Sequence, residues 1–223
     1  MPGVLSEARP HRRAAVAALV AGLAAFALIA ALVVSGASAS LDTAVGAAFA
    51  AHRSPALTDF FRGYTGAGRW FVVVAAAVAV IAGLTATSRH RAAVFLGAAV
   101  AAALVLDPLL KAAFGRARPP AESAAAHAGW YAFPSGHSLA SATLALAIVV
   151  VAWPTRWRVP AAVVVLTFAF LMGLSRVYLG VHWLTDVLGA WALAVAIVGA
   201  TALALPPYPV AKAGDDPRPG TPP

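Results

Sequence analysis

Six long apolar blocks, at 14–34, 70–87, 92–110, 138–153, 159–174 and 183–205, decide what solvent this chain can fold in. A chain of 223 residues cannot hide that many apolar runs in a water-facing core, whereas a bilayer accepts them as helices. Only 11% of residues are charged and 61% are hydrophobic, against about a quarter charged in a soluble domain. Several blocks fall short of the ~20 residues a crossing needs, but each can gain a turn from its flanks. The expectation is an all-α membrane protein, a six-transmembrane-helix bundle. Ala and Gly are abundant throughout, which lets helices approach closely in lipid.

Three parts are expected: a cytoplasmic N-terminal segment at 1–13, the membrane domain at 14–205, and a disordered cytoplasmic tail at 206–223 rich in Pro, Gly and Asp. The first block has a rival reading. Arg12, Arg13, an apolar run and then Ala37-Ser38-Ala39 resemble a secretory signal with its cleavage site. Signal cores run about 7–15 residues and this block is nearer a full span, which favours a retained helix. Between the first two blocks, 41–68 carries Phe60, Phe61 and Tyr64 among polar residues. Short interfacial helices are expected there, with a connecting loop anchored by aromatics as the alternative.

Loop charges orient the bundle. With the N-terminus inside, nine basic residues fall on the cytoplasmic side (Arg9, Arg12, Arg13, Arg89, Arg91, Arg156, Arg158, Lys212, Arg218) and seven outside. Of those seven, Lys111, Arg116, Arg118 and Arg176 belong to polar clusters; setting them aside leaves Arg53, Arg62 and Arg69. Both termini are therefore expected in the cytoplasm. The net charge of +8 calls for anionic partners. Because the basic residues are scattered between apolar blocks, nucleic acid is not expected; anionic lipid and phosphate are. The absence of cysteine removes disulfides, thiolate catalysis and cysteine metal sites.

A charge at the centre of a span costs about 2.5–3.5 kcal/mol, so polar residues that end or interrupt spans tend to be functional or paired. Here they form three clusters. Lys111, Arg116, Arg118 and Pro119 close the third block; Pro134-Ser135-Gly136-His137 opens the fourth; Ser175, Arg176, His182 and Asp186 join the fifth to the sixth. The end of an outgoing helix and the start of the next incoming one lie on one side. All three clusters therefore meet at one face, and the charge bias makes it the outer one.

Their chemistry suits a phosphate ester. Charge spread over phosphoryl oxygens needs several fixed donors, and Lys111, Arg118 and Arg176 supply them. Ser135 and the Gly136 backbone stand where a helix begins, with N–H groups free to face an anion. His182 and Asp186 are four apart on one helical face. The carboxylate can keep one imidazole nitrogen protonated and leave the other to attack phosphorus. His137 is then the acid that protonates the departing alkoxide and later activates water. A covalent phosphohistidine formed this way needs no metal and no cofactor.

In order and spacing the clusters resemble the signature of the type 2 phosphatidic acid phosphatases: K-x6-R-P, P-S-G-H and S-R-x5-H-x3-D. The resemblance is anchored over about 107–190. It implies a membrane lipid phosphatase with His182 as nucleophile, Asp186 as its partner and His137 as acid–base residue. Lys111, Arg118, Ser135, Gly136 and Arg176 are implied to bind phosphate. Related members often carry Pro between the two arginines, where this chain has Ala117; Arg116 is not one of the fixed positions and is secondary on this reading.

Some readings stay open. Asp107 is expected to pair with Lys111 along a helix, and Ser135 can cap the fourth helix. Asp186 can instead be a buried partner of Arg176. Trp130, Tyr131 and Phe133 are expected to anchor their loop in the interface, and His127 has no motif of its own. Phosphatidic acid, phosphatidylglycerol phosphate and a polyprenyl diphosphate fit one phosphate pocket equally well. The vanadate-dependent haloperoxidases share the motifs but are soluble, unlike six spans. A phosphotransferase on the same scaffold, and a non-catalytic lipid-phosphate binder or transporter, are the competing functions. Charges near the midplane would mark the latter, and here they sit at helix ends. Oligomeric state is not legible.

Overall fold

The computed structural model describes residues 4–120 and 131–208, with side chains from residue 11 onward. Among the described residues there are eight helices and no strand: α1 (Val4–Val34), α2 (Ala39–Ala51), α3 (Pro55–Gly66), α4 (Trp70–Ala86), α5 (His90–Phe114), α6 (Gly136–Ala152), α7 (Arg158–Tyr178) and α8 (Leu184–Ala204). The expected all-α class is what the chain adopts. His127, Trp130 and the tail beyond 208 lie outside the described residues.

Helices α1, α5, α7 and α8 are each long and apolar enough to cross a membrane. Helices α4 and α6 have 17 residues each, a rise of about 26 Å at ~1.5 Å per residue, a little under the ~30 Å hydrocarbon core. Helix α4 continues α3 across a 55° bend, and the pair together makes a fifth candidate span. Length and composition thus establish four or five crossings, where the apolar blocks alone predict six.

Helix α6 is the hub, packed against α4, α5, α7 and α8, while α1 lies along α8. Phe95, Leu96 and Leu139 are wholly buried where α5 meets α6. Small residues bring α1 and α8 into backbone contact. A Cβ on Gly22 would sit 2.5 Å from the Ala196 nitrogen, and one on Gly199 would sit 2.6 Å from the Leu19 nitrogen. Such close approach is how helices associate in lipid, where apolar burial gives no driving force. The other face of α1 exposes Val20, Leu23, Leu28 and Val34, as a lipid-facing surface should.

The 41–68 segment is helical as expected, but it is tied down onto the bundle. Phe61 is buried against Tyr178, Leu179 and Val181. Arg53 Nε donates to the Tyr178 carbonyl at 2.8 Å, and the Ser54 N–H donates to the Tyr178 hydroxyl at 3.2 Å. Asp42, on α2, is 2% exposed. These contacts fix α2 and α3 over the end of the bundle where α7 stops and α8 starts.

One aromatic expectation is overturned. Phe133 is not an interface anchor: it is wholly buried, stacked on Phe26 of α1 and edge-on to Phe114 at the end of α5. Its neighbour Tyr131 is the exposed one. Position in an outer loop said nothing about the hole that Phe26, Phe114 and Gly189 leave for a ring.

Candidate active site

Helix ends bring the polar clusters together. Helix α5 stops at Gly115, whose φ of 57° is left-handed, a conformation that favours glycine at a helix C-terminus. The chain then turns, and Arg116 and Arg118 follow within three residues of the helix end. Helix α6 starts directly after Ser135, and the Ser135 N–H donates to the Asp186 carbonyl at 3.1 Å, joining the starts of α6 and α8. Arg176 lies in the last turn of α7. His182 lies in the short link before α8, so it and Asp186 do not share one helical face as expected: the pair is made across the start of α8.

At the centre His182 is 3% exposed. Its Nδ1 is 3.2 Å from Asp186 Oδ2, and its Nε2 is 2.9 Å from Arg118 Nη1. A guanidinium only donates, so Nε2 must be the accepting nitrogen and the ring proton must sit on Nδ1, facing the carboxylate. Burial first, then the charges of Arg118, Arg176 and Lys111, hold this imidazole well below its usual range. His182 is thus neutral at pH 7, with the Nε2 lone pair turned toward the cations.

Around it stand further donors. Arg176 is 5% exposed; its Nη1 donates to Thr65 Oγ1 at 2.6 Å, and its buried Nε has no partner among the described residues. A buried donor without an acceptor costs about 1–3 kcal/mol, so this nitrogen marks a place for an acceptor oxygen. Lys111 Nζ lies 2.6 Å from each carboxylate oxygen of Asp107, the expected i,i+4 pair. His137 is close enough to feel the charges of Arg176, His182, Lys111 and Arg118. Gly68, in the link between α3 and α4, covers it: a Cβ there would sit 3.0 Å from His137 Cδ2.

Ser135 precedes α6 but makes no capping bond; its hydroxyl, wholly buried, pairs with Ser138 Oγ at 3.0 Å. Gly136 is where absence of a side chain matters. A Cβ there would lie 2.7 Å from both Lys111 Nζ and Asp107 Oδ2. Gly136→Ala is therefore expected to push the lysine out of place. Activity should fall at least tenfold while thermal stability stays within a few degrees, because the displaced atoms end a flexible chain. Phosphate release and a melting curve on the same sample check this.

Asp186 does not pair with Arg176. Its Oδ1 is held by Arg116 Nη1 at 2.5 Å, while Oδ2 accepts from the Trp183 N–H at 2.9 Å and faces His182. Arg116, secondary on the sequence reading, is thus in the innermost layer. Its partner Asp42 and the Arg176 partner Thr65 were missed altogether. The one signal for Asp42 was a lone acid in an otherwise apolar stretch.

The family model of the PAP2 superfamily matches residues 92–207, a stretch that includes all three clusters and more than half of the chain. The chain belongs to the PAP2 superfamily. Phosphatidylglycerophosphatase B of Bacillus subtilis is 28% identical over 173 residues, covering 75% of this chain and 85% of that protein. The crystal structure of the transmembrane PAP2 type phosphatidylglycerolphosphate phosphatase from Bacillus subtilis matches with a TM-score of 0.76 at 26% identity, over 83% of this chain and 94% of that one. Undecaprenyl-diphosphatase of Sulfolobus acidocaldarius is 36% identical over 63 residues, 28% of each protein. Apolar spans and PAP2 relatives of this kind make this a membrane protein. Asp42 and Thr65 lie outside the stretch that the PAP2 model matches.

Proposed function

We propose that this PAP2 protein is a membrane lipid phosphatase that works through a phosphohistidine on His182, without a metal. The observation that carries the reading is the setting of His182, with Nδ1 3.2 Å from Asp186 Oδ2 and Nε2 2.9 Å from Arg118 Nη1; because a guanidinium only donates, the Nε2 lone pair is the one left for phosphorus. A phosphoryl group bound between Arg118, Arg176, Lys111 and the first turn of α6 would present its phosphorus to that lone pair. The reaction then runs in two steps. Nε2 attacks phosphorus, the bond from phosphorus to the ester oxygen breaks, and His137 gives its proton to the departing alkoxide. His137 next takes a proton from water, whose oxygen attacks phosphorus; the P–N bond breaks, and phosphate leaves with His182 restored. Asp186 balances the charge that the imidazole gains in the first step.

The membrane arrangement is part of the proposal. Six helices, α1, α4, α5, α6, α7 and α8, cross the bilayer, with α1 retained and residues 1–13 and 206–223 in the cytoplasm. Support comes from Arg12, Arg13, Arg89, Arg91, Arg156 and Arg158, which all lie at the end of the bundle away from the site. The positive-inside rule then puts the site on the outer face. The substrate is a lipid phosphate or diphosphate; phosphatidylglycerol phosphate is favoured because a relative that aligns with 75% of this chain is a phosphatidylglycerophosphatase.

The test is phosphate release in chelator-treated vesicles from phosphatidylglycerol phosphate, phosphatidic acid and a polyprenyl diphosphate. Phosphatidylglycerol phosphate is expected to turn over fastest and to leave acid-labile label on the protein. Release that needs added divalent metal, or transfer of the label to an alcohol with no free phosphate, would overturn the reading.

A further inference from the structure

We infer that Arg116, anchored by Asp42, is the positioning residue of the His182–Asp186 pair, so that α2 is a working part of the active site. The inference rests on the proposed phosphohistidine function. It starts from how fully Arg116 is engaged. Nη1 donates to Asp186 Oδ1 at 2.5 Å and to Thr185 Oγ1 at 2.8 Å; Nη2 donates to Asp42 Oδ2 at 2.6 Å and lies 3.5 Å from Ser38 Oγ. Its carbonyl accepts the Ala132 N–H at 2.9 Å, and its guanidinium lies 5.8 Å from the centre of the Trp183 ring.

Asp42 is held just as firmly. It is 2% exposed and accepts both the N–H of Thr185, at 3.0 Å, and the Thr185 hydroxyl, at 2.7 Å. It therefore grips the first turn of α8 directly and grips Asp186 through Arg116. Two buried carboxylates, Asp42 and Asp186, share one guanidinium.

The consequence is rotational. A carboxylate is symmetric, and Asp186 with one oxygen unbound could swing either oxygen toward the ring. With Oδ1 clamped by Arg116, only Oδ2 faces His182 Nδ1. That fixes the imidazole plane, and with it the direction of the Nε2 lone pair. Arg116 differs in this from Arg176, whose Nε lacks a partner among the described residues. Both Nη atoms of Arg116 are committed to carboxylates and hydroxyls, so its task is to orient and not to hold phosphate. Removing it leaves two buried acids facing each other with no cation between them, a costly state.

The experiment uses the full-length protein in vesicles, with Asp42→Asn, Arg116→Lys, Arg116→Ala, the Asp42→Asn/Arg116→Ala double variant, and Arg118→Ala as a comparison. Measured are kcat, KM, competitive inhibition by inorganic phosphate, the rate of acid-labile phosphoprotein formation and the melting temperature. Arg116→Ala is expected to lower kcat and the rate of phosphoprotein formation by on the order of 10²-fold, the cost of misplacing a reacting group by about an ångström. Asp42→Asn should lower them about tenfold, as loss of an outer partner of a histidine does. Both should leave inhibition by inorganic phosphate within about twofold of wild type, whereas Arg118→Ala weakens it. Arg116→Lys should recover part of the rate. Because Asp42 acts through Arg116, the double variant should be no slower than Arg116→Ala alone.

Arg116→Ala forming phosphoprotein at the wild-type rate would overturn the inference, as would inhibition by inorganic phosphate lost in parallel with Arg118→Ala, or multiplicative losses in the double variant. Should Arg116→Ala fail to fold, Asp42→Asn, which keeps an oxygen for Thr185, carries the same test. A wild-type protein that turns substrate over with no phosphoprotein would instead defeat the phosphohistidine reading itself.

Discussion

His182→Ala is expected to abolish phosphate release while the protein still inserts in the membrane. This is the largest effect expected in the molecule, because no other described group can do what Nε2 does. Among the described residues, His182 is the one imidazole with a carboxylate on Nδ1 and a cation at Nε2. Asp186 is occupied by Arg116 and the Trp183 N–H, and His137 lies on α6. Loss of a nucleophile that acts as a unit with its partners costs on the order of 10⁴–10⁶-fold in kcat.

The substitution also empties a buried site and leaves Arg118 without its ring partner, so folding must be read separately. His182→Asn keeps polar volume and gives the control. Both variants should migrate as wild type on size exclusion and show no acid-labile phosphoprotein. Full phosphate release from either would end the proposal. A further check is acidity: because burial and three neighbouring cations keep His182 neutral, its Nε2 lone pair should persist below the usual imidazole range. Loss of phosphoprotein formation centred near pH 6.5 would point to a different, ordinary imidazole.

The parts of this site legible in the sequence were those carried by local order along the chain. Cluster spacing placed Lys111, Arg118, His137, Arg176, His182 and Asp186 at helix ends, and alternation of span direction brought those ends to one face. Those arguments need only the period of a helix and the thickness of a bilayer. Contacts across the sequence were not legible. Asp42 meets Arg116 from 74 positions away and Arg176 meets Thr65 from 111, and no periodicity encodes either meeting. Arg116 was underrated for the same reason: its importance lies in two acids from two different helices, not in its place in a motif. Phe133 was misjudged because burial of one ring depends on the holes left by its neighbours. Lengths failed differently. Helices α4 and α6 end at bends and links that hydropathy does not resolve, so a six-block pattern overstates what helix length alone can support.

His137→Ala should be the second largest loss, and its size should depend on the leaving group. An alkoxide leaving from a lipid ester is a strong base, and departure without a proton is slow; general acid catalysis at such a step contributes about 10²–10⁴-fold. With p-nitrophenyl phosphate the departing phenolate needs no proton, so the first step should fall far less. His137 is also the base for the second step, and that role does not depend on the ester. In the variant, an activated ester should therefore load His182 rapidly and release phosphate slowly, giving a burst of one p-nitrophenolate per protein followed by a slow steady state. The wild type, in which both steps are assisted, should show little burst. The expectation starts from placement: His137 lies in the first turn of α6, beside the Gly136 backbone that approaches Lys111. Equal losses for lipid and activated esters, with no burst, would mean that His137 binds phosphate instead of moving protons. The acid and base roles would then have to be reassigned.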